Sequence, residues 1–142
     1  LQRASIRLSP FIQEWEKLSR LLVTFCEEHQ LSNPLCLDLQ LVSEEWFTNI
    51  VVHGYEEGGI DREHAEPIHI ELWLSEQDEV AIQFVDAAPA FNPLEHEMPD
   101  VSLPAEERAI GGLGIYLIKS KMDSCVYRRV GDCNQFTIRK YI

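Results

Sequence analysis

Between Phe11 and Ile50 apolar residues recur twice at helical spacing, with no strand-like run between the two sets. The first set is Phe11, Trp15, Leu18, Leu22 and Phe25; the second is Leu35, Leu39, Val42, Trp46 and Ile50. Spacings of three and four mark one face of a helix. Two helices in direct succession are incompatible with the strict strand–helix alternation of a doubly wound parallel sheet. Pro10 sits where the first helix can begin, and that helix runs to about Gln30. Ser32-Asn33-Pro34 is an N-terminal signal for the second, which ends near Gly54. A short alternating run, residues 3–9, precedes the pair, and residues 56–66 read as a polar loop. Residues 68–74 and 80–86 read as consecutive strands joined by a turn at 75–79. A helix from Gly112 to about Met122 follows, then strands near 124–130 and 134–141 around Gly131-Asp132. The order β-α-α-β-β-loop-α-β-β predicts an α+β fold. It is a two-layer α/β sandwich, a mixed sheet covered on one face by about three helices.

At 142 residues the chain is expected to be one domain, residues 1–142. No apolar run reaches the roughly 20 residues that span a bilayer, and the first residues lack a signal-peptide core, so a cytoplasmic protein without membrane association is expected. The net charge of −12 repels a phosphate backbone and argues against nucleic acid; it suits a basic protein partner, or solubility alone. Cys26, Cys36, Cys125 and Cys133 show no paired metal-ligand spacing and read as reduced thiols. His53 is expected to cap the second helix or pack beneath it, and Asp38 to face solvent.

Periodicity vanishes from Ala87 to Ile110, where Pro89, Pro93, Pro99 and Pro104 alternate with Glu95, Glu97 and Asp100. A structureless stretch of that length in a compact domain is usually functional or disordered. It ends in Gly111-Gly112-Leu113-Gly114-Ile115, glycines at the mouth of a helix that leave backbone N–H groups bare for an anion. Because these glycines follow a loop and not a strand, the Rossmann and P-loop readings are excluded. Upstream, Glu45 and Asn49 stand four apart and share a helix face. A divalent ion carrying phosphates would satisfy both, since Mg²⁺ takes oxygen ligands; a plain helix-surface pair is the alternative. Asp86 ends a strand and precedes a proline-containing turn. Such an acid can accept a hydrogen bond from an exocyclic amine such as that of adenine, or simply initiate the turn.

Taken in order, these features resemble the GHKL ATP-binding fold of histidine kinases, gyrase and Hsp90, and within it the RsbW-like anti-sigma-factor serine kinases. The matching residues are Ser43-Glu44-Glu45-Trp46-Phe47-Thr48-Asn49 with His53-Gly54-Tyr55, then Asp86 through Phe91-Asn92-Pro93. The match closes with Glu106 through Ile115, followed by Met122-Asp123 and Asn134. The resemblance implies that Asn49 holds the Mg²⁺ bridging the ATP phosphates and that Glu45 is the general base for an attacking serine hydroxyl. It implies that Asp86 binds the adenine amine, that residues 92–110 form a lid, and that Gly111, Gly112 and Gly114 shape its hinge and offer amides to phosphate. Arg108 is the candidate for phosphate charge stabilisation, with a surface ion pair to Glu106 or Glu107 as the alternative. The implied activity is a bacterial serine/threonine protein kinase whose substrate is an anti-sigma-factor antagonist of the STAS class. A sigma factor is a possible second partner and a homodimer a possible assembly. The alternative is a non-catalytic partner-switching module that binds ATP, or has lost it, and sequesters a protein. The chain departs from the pattern at Ala88, where glycine is usual, and at Ala90, where glycine or proline is usual. Alanine is penalised at positive φ and adds a methyl group beside the base, so reduced nucleotide affinity is expected.

Overall fold

The computed structural model describes residues 2–95 and 112–142. Strand β1 (Gln2–Leu8) leads through a 3-10 turn (Ile12–Glu14) into helix α1 (Trp15–Glu28). That helix stops when Gln30 takes a left-handed φ of 55°. The Leu31 N–H then donates to the Cys26 carbonyl (2.9 Å) and the Gln30 N–H to that of Glu27 (3.3 Å). This double closure satisfies carbonyls that the helix end leaves bare. Helix α2 (Asn33–Asn49) follows at once, with Pro34 in its first turn and the Ser32 hydroxyl accepting from the Leu35 amide at 3.3 Å. The two helices are stitched side by side: the Ser19 hydroxyl donates to Gln40 Oε1 at 2.9 Å, and Gln40 Nε2 donates to the Ser19 carbonyl at 3.3 Å.

After Asn49 the chain keeps turning as a π-helix (Ile50–Glu56). The Glu57 and Ile60 amides reach carbonyls five residues back, those of Val52 and Tyr55. Such widened turns occur preferentially at functional sites.

Strands β2 (Ile68–Leu74) and β3 (Glu79–Asp86), a 3-10 turn (Pro93–Glu95), helix α3 (Gly112–Lys121) and strands β4 (Ser124–Val130) and β5 (Cys133–Tyr141) complete the described chain. The sheet order is β1-β2-β3-β5-β4, and every neighbouring pair is antiparallel. The two-layer sandwich is therefore as expected, but the sheet is antiparallel and not mixed. Connectivity explains the difference. Helices α1 and α2 together carry the chain out and back, so β2 re-enters from the end at which β1 left. The one strand–helix–strand passage, β3 to β4, does not make neighbours, because β5 lies between them.

One sheet face carries Ile70, Leu72, Ile82, Phe84, Phe136 and Ile138, all buried against Leu18, Leu22, Phe25, Leu39, Val42 and Phe47 of the helices. Each such side chain contributes roughly 1.5–3 kcal/mol by leaving water. The alternate residues of the same strands, among them Glu71, Gln83 and Thr137, lie on the opposite face, as does Arg3 of β1.

Candidate functional site

Where α2 passes into the π-helix, the end of β3 and the first turns of α3 come together around a cavity of about 300 Å³. That is the size of a small-molecule site. Trp46, Ile50, Ala88 and Ile115 give it apolar walls; Asp86 and Asn134 line it, as do Asn49, His53 and Glu57. The widened helical turn supplies His53 and Gly54 to the wall, and His53 Nδ1 lies 2.9 Å from Glu57 Oε2. His53 is therefore a cavity residue paired with Glu57, in place of the expected helix cap or buried packing residue.

Glu45 and Asn49 both sit beside α3, and Gly114 is what lets that helix approach. A β-carbon at position 114 would stand 2.9 Å from Asn49 Nδ2 and 3.3 Å from Glu45 Oε2. Neither polar side chain is committed to a hydrogen bond among the described residues, so the alternative of a bonded surface pair is not what the structure records. Asn49 thus offers an uncommitted amide oxygen to the cavity, and the uncommitted Glu45 carboxylate lies beside Gly114 one helical turn away; oxygen donors of this kind suit a Mg²⁺–phosphate group. Farther along the same two helices Asp38 Oδ1 lies 3.9 Å from Lys121 Nζ, so Asp38 is partly buried by α3 and does not face solvent freely.

Asp86 is 5% exposed. Its Oδ1 accepts from the Ala88 amide (3.0 Å) and from Asn134 Nδ2 (3.0 Å). The first of these is the turn-initiating bond that the sequence allowed. Oδ2 accepts no hydrogen bond among the described residues and remains free for a donor in the cavity. Burial pushes the Asp86 carboxyl above the usual aspartate range, opposed by the Asn134 and Ala88 hydrogen bonds and by the Arg129 charge.

The turn after Asp86 is held from three sides. Tyr55 Oη accepts from the Ala87 amide at 3.0 Å, Arg129 donates to the Ala88 carbonyl at 2.9 Å, and Asn134 reaches the Ala88 and Pro89 carbonyls at 3.2 and 3.0 Å. Burial raises the Tyr55 phenol pKa, so the oxygen stays protonated. Neither Ala88 nor Ala90 has positive φ; among the described residues the non-glycine residues that do are Gln30 and Asp78. The backbone penalty expected for these alanines is absent. Ala88 is 2% exposed, and a β-carbon added at Gly54 would lie 3.0 Å from its methyl group. Glycine at 54 makes the room that alanine at 88 uses.

Of the residues singled out from sequence, Glu45, Asn49 and Gly114 meet, and Asn49 shares the cavity with Asp86. Gly112 opens α3. Arg108, Gly111 and residues 96–110 of the expected lid lie outside the described residues. Sequence reasoning assigned no site role to Asn134, Arg129 or Tyr55. Asn134 is among the residues that carry the family resemblance, but its bonds to Asp86, Ala88 and Pro89 span more than 40 residues and no local spacing points to them.

Residues 12–140 match the family described as histidine kinase-like ATPase domain. The serine/threonine-protein kinase BtrW of Bordetella bronchiseptica is 26% identical over 103 residues, covering 72% of this chain and 68% of that protein. The structure of the RsbU and RsbW domains of Rv1364c from Mycobacterium tuberculosis superposes with a TM-score of 0.71 at 13% identity. That alignment covers 99% of this chain and 32% of the other, so the chain spans about a third of that protein's length. The SiaB–SiaC complex of Pseudomonas aeruginosa gives a TM-score of 0.66 at 16% identity, over 98% of this chain and 89% of the matched one. These likenesses in structure bear on the fold.

Proposed function

The chain belongs to the histidine kinase-like ATPase domain family, and from that premise we propose that it is an ATP-dependent serine/threonine protein kinase acting on an anti-sigma-factor antagonist of the STAS class. One observation carries the reading: Gly114 brings α3 against Glu45 and Asn49 at the edge of a cavity also lined by Asp86. In this reading Glu45 is the base, Asn49 the oxygen ligand and Asp86 the acceptor for an exocyclic amine, the last two lining the cavity of about 300 Å³.

In this reading adenine enters between Ile50, Ala88 and Ile115, and its amine donates to Asp86 Oδ2. Asn49 would hold a Mg²⁺, which would supply charge neutralisation of the phosphates when bound. Glu45 accepts the proton of the attacking serine hydroxyl as the new O–P bond forms and the bond from the γ-phosphorus to the ADP oxygen breaks. Phosphoryl transfer depends mostly on positioning and charge neutralisation; the uncommitted carboxylate suits the positioning of the hydroxyl, and the charge neutralisation falls to the metal ion and the groups assigned to the phosphates. Gly111, Gly112 and Arg108 are assigned to the phosphates, and residues 92–110 to the lid, from the family resemblance. The same reading makes residues 1–142 one domain of a bacterial, cytoplasmic regulator of transcription, with a sigma factor as second partner and a homodimer as its assembly. Among the described residues no helix is long and apolar enough to cross a membrane. The BtrW match and the SiaB–SiaC likeness support the kinase and partner assignments.

The test is incubation of the purified chain with Mg-[γ-³²P]ATP and a STAS-domain protein. Label transfer is expected, and Glu45→Gln is expected to retain nucleotide and lose transfer. Nucleotide binding without transfer would favour the alternative of a non-catalytic sequestering module. No binding at millimolar ATP would remove the kinase reading and leave only a sequestering module that has lost the nucleotide.

A further inference from the structure

Asn134 is only 6% exposed, yet six hydrogen-bonding groups converge on its side-chain amide. Its Nδ2 faces three acceptors: Asp86 Oδ1 at 3.0 Å, the Ala88 carbonyl at 3.2 Å and the Pro89 carbonyl at 3.0 Å. Its Oδ1 faces three donors: the Phe91 amide at 3.4 Å, the Tyr127 hydroxyl at 2.5 Å and Arg129 Nη1 at 3.1 Å. With acceptors on one side and donors on the other, only one orientation of the amide is compatible with its surroundings. No other side chain of this size both donates and accepts in that geometry; an aspartate would set an acceptor against three acceptors.

We infer that Asn134 is a specificity-determining positioning residue, which fixes the carboxylate of Asp86 so that the cavity accepts a 6-amino purine and rejects a 6-oxo purine. This role rests on nucleotide binding in the cavity as proposed for the function. Asp86 Oδ1 is occupied by Asn134 Nδ2 and the Ala88 amide, so the carboxylate cannot rotate without breaking both bonds. Oδ2 is left as an acceptor with no protein donor. An exocyclic amine satisfies it, whereas a carbonyl oxygen in the same place faces it lone pair to lone pair. A site whose buried polar group is left unpaired by the wrong ligand discriminates strongly. Through the Ala88 and Pro89 carbonyls the same amide also fixes the turn against which the base would pack. Asn134 borders the cavity, but both ends of its amide are taken up by protein groups, so its role is positioning.

The experiment is calorimetric titration of the purified chain with Mg-ATP and with Mg-ITP, whose base carries an oxo group in place of the amine. The wild-type chain is expected to favour ATP by at least about tenfold, the scale of one buried polar group left unpaired. Asn134→Ala is expected to bring the two affinities within about threefold, chiefly by weakening ATP, while thermal unfolding stays cooperative. A pocket that had merely loosened would weaken both nucleotides alike. An unchanged ratio in folded Asn134→Ala therefore overturns the inference. If Asn134→Ala does not fold, Tyr127→Phe removes a single hydroxyl from the set that orients the amide, and its ratio should fall about threefold. An unchanged ratio there also counts against the inference. A wild-type chain that binds both nucleotides equally overturns the inference and leaves nucleotide binding standing. A chain that binds neither overturns the functional reading itself.

Discussion

Gly114 lies so close to Asn49 that a β-carbon on it would approach the Asn49 amide nitrogen to 2.9 Å. The helix α3 and the metal-ligand candidate on α2 are in contact because position 114 has no side chain. Gly114→Ala must push either the helix or the Asn49 and Glu45 side chains aside. We expect a loss of about 1–3 kcal/mol in stability and weaker Mg-ATP binding, read by denaturant unfolding and calorimetry. Wild-type values in both would show that the contact is dispensable.

Asp86→Asn separates stability from binding. Asn keeps an oxygen to accept from Ala88 and Asn134 and presents an NH₂ where Oδ2 was. The Asp86 pKa is raised by burial, so the folded chain holds that proton more tightly than the unfolded one. The stability it contributes is fully present below the ordinary aspartate range and is lost as pH rises through the raised value. At pH 7 the variant should thus be at least as stable as wild type, and its advantage should disappear in acid. Its ATP affinity should fall by about 10- to 100-fold, roughly 1.4–2.7 kcal/mol. Denaturation midpoints across pH and nucleotide titrations check the two halves separately.

Ser43 is buried on α2, and its hydroxyl has no hydrogen-bond partner among the described residues. A buried hydroxyl without a partner costs about 1–3 kcal/mol. Ser43→Ala should therefore leave stability unchanged or raise it by about 1 kcal/mol. A drop in the melting temperature would mean that the hydroxyl has a partner in solution.

Gln30 closes α1 with a φ of 55°, a conformation that favours glycine. Gln30→Gly should stabilise the chain by about 0.5–1 kcal/mol, a shift of a few degrees in melting temperature. A lower melting temperature would indicate that the gain in unfolded-state entropy outweighs the relieved strain.

Much of the element order was legible because it is written in local periodicity. The stripe Leu35, Leu39, Val42, Trp46, Ile50 is buried throughout, and the strands of the sheet fall within a residue or two of the runs that predict them. Ser32 with Pro34 marked the start of α2 for the reason that it caps it. The π-helical continuation was less legible, since Val51, Val52 and Gly54 weaken an α-helix without saying what replaces it. The wholly antiparallel sheet was missed because strand direction depends on where β5 inserts, which no local pattern records.

The sequence by itself determined the elements, the apolar faces and the family of the chain, because these follow from side-chain spacing and from short motifs on single elements. It also named Glu45, Asn49, Asp86 and Gly114. Only the tertiary structure decided what those residues do to one another. Gly114 matters for what it lets α3 approach, Ala88 is accommodated because Gly54 is opposite, and Asp86 is held by an asparagine 48 residues along the chain. Contacts of that kind arise when three elements converge at one end of a sheet, and spacing along a single element cannot encode them.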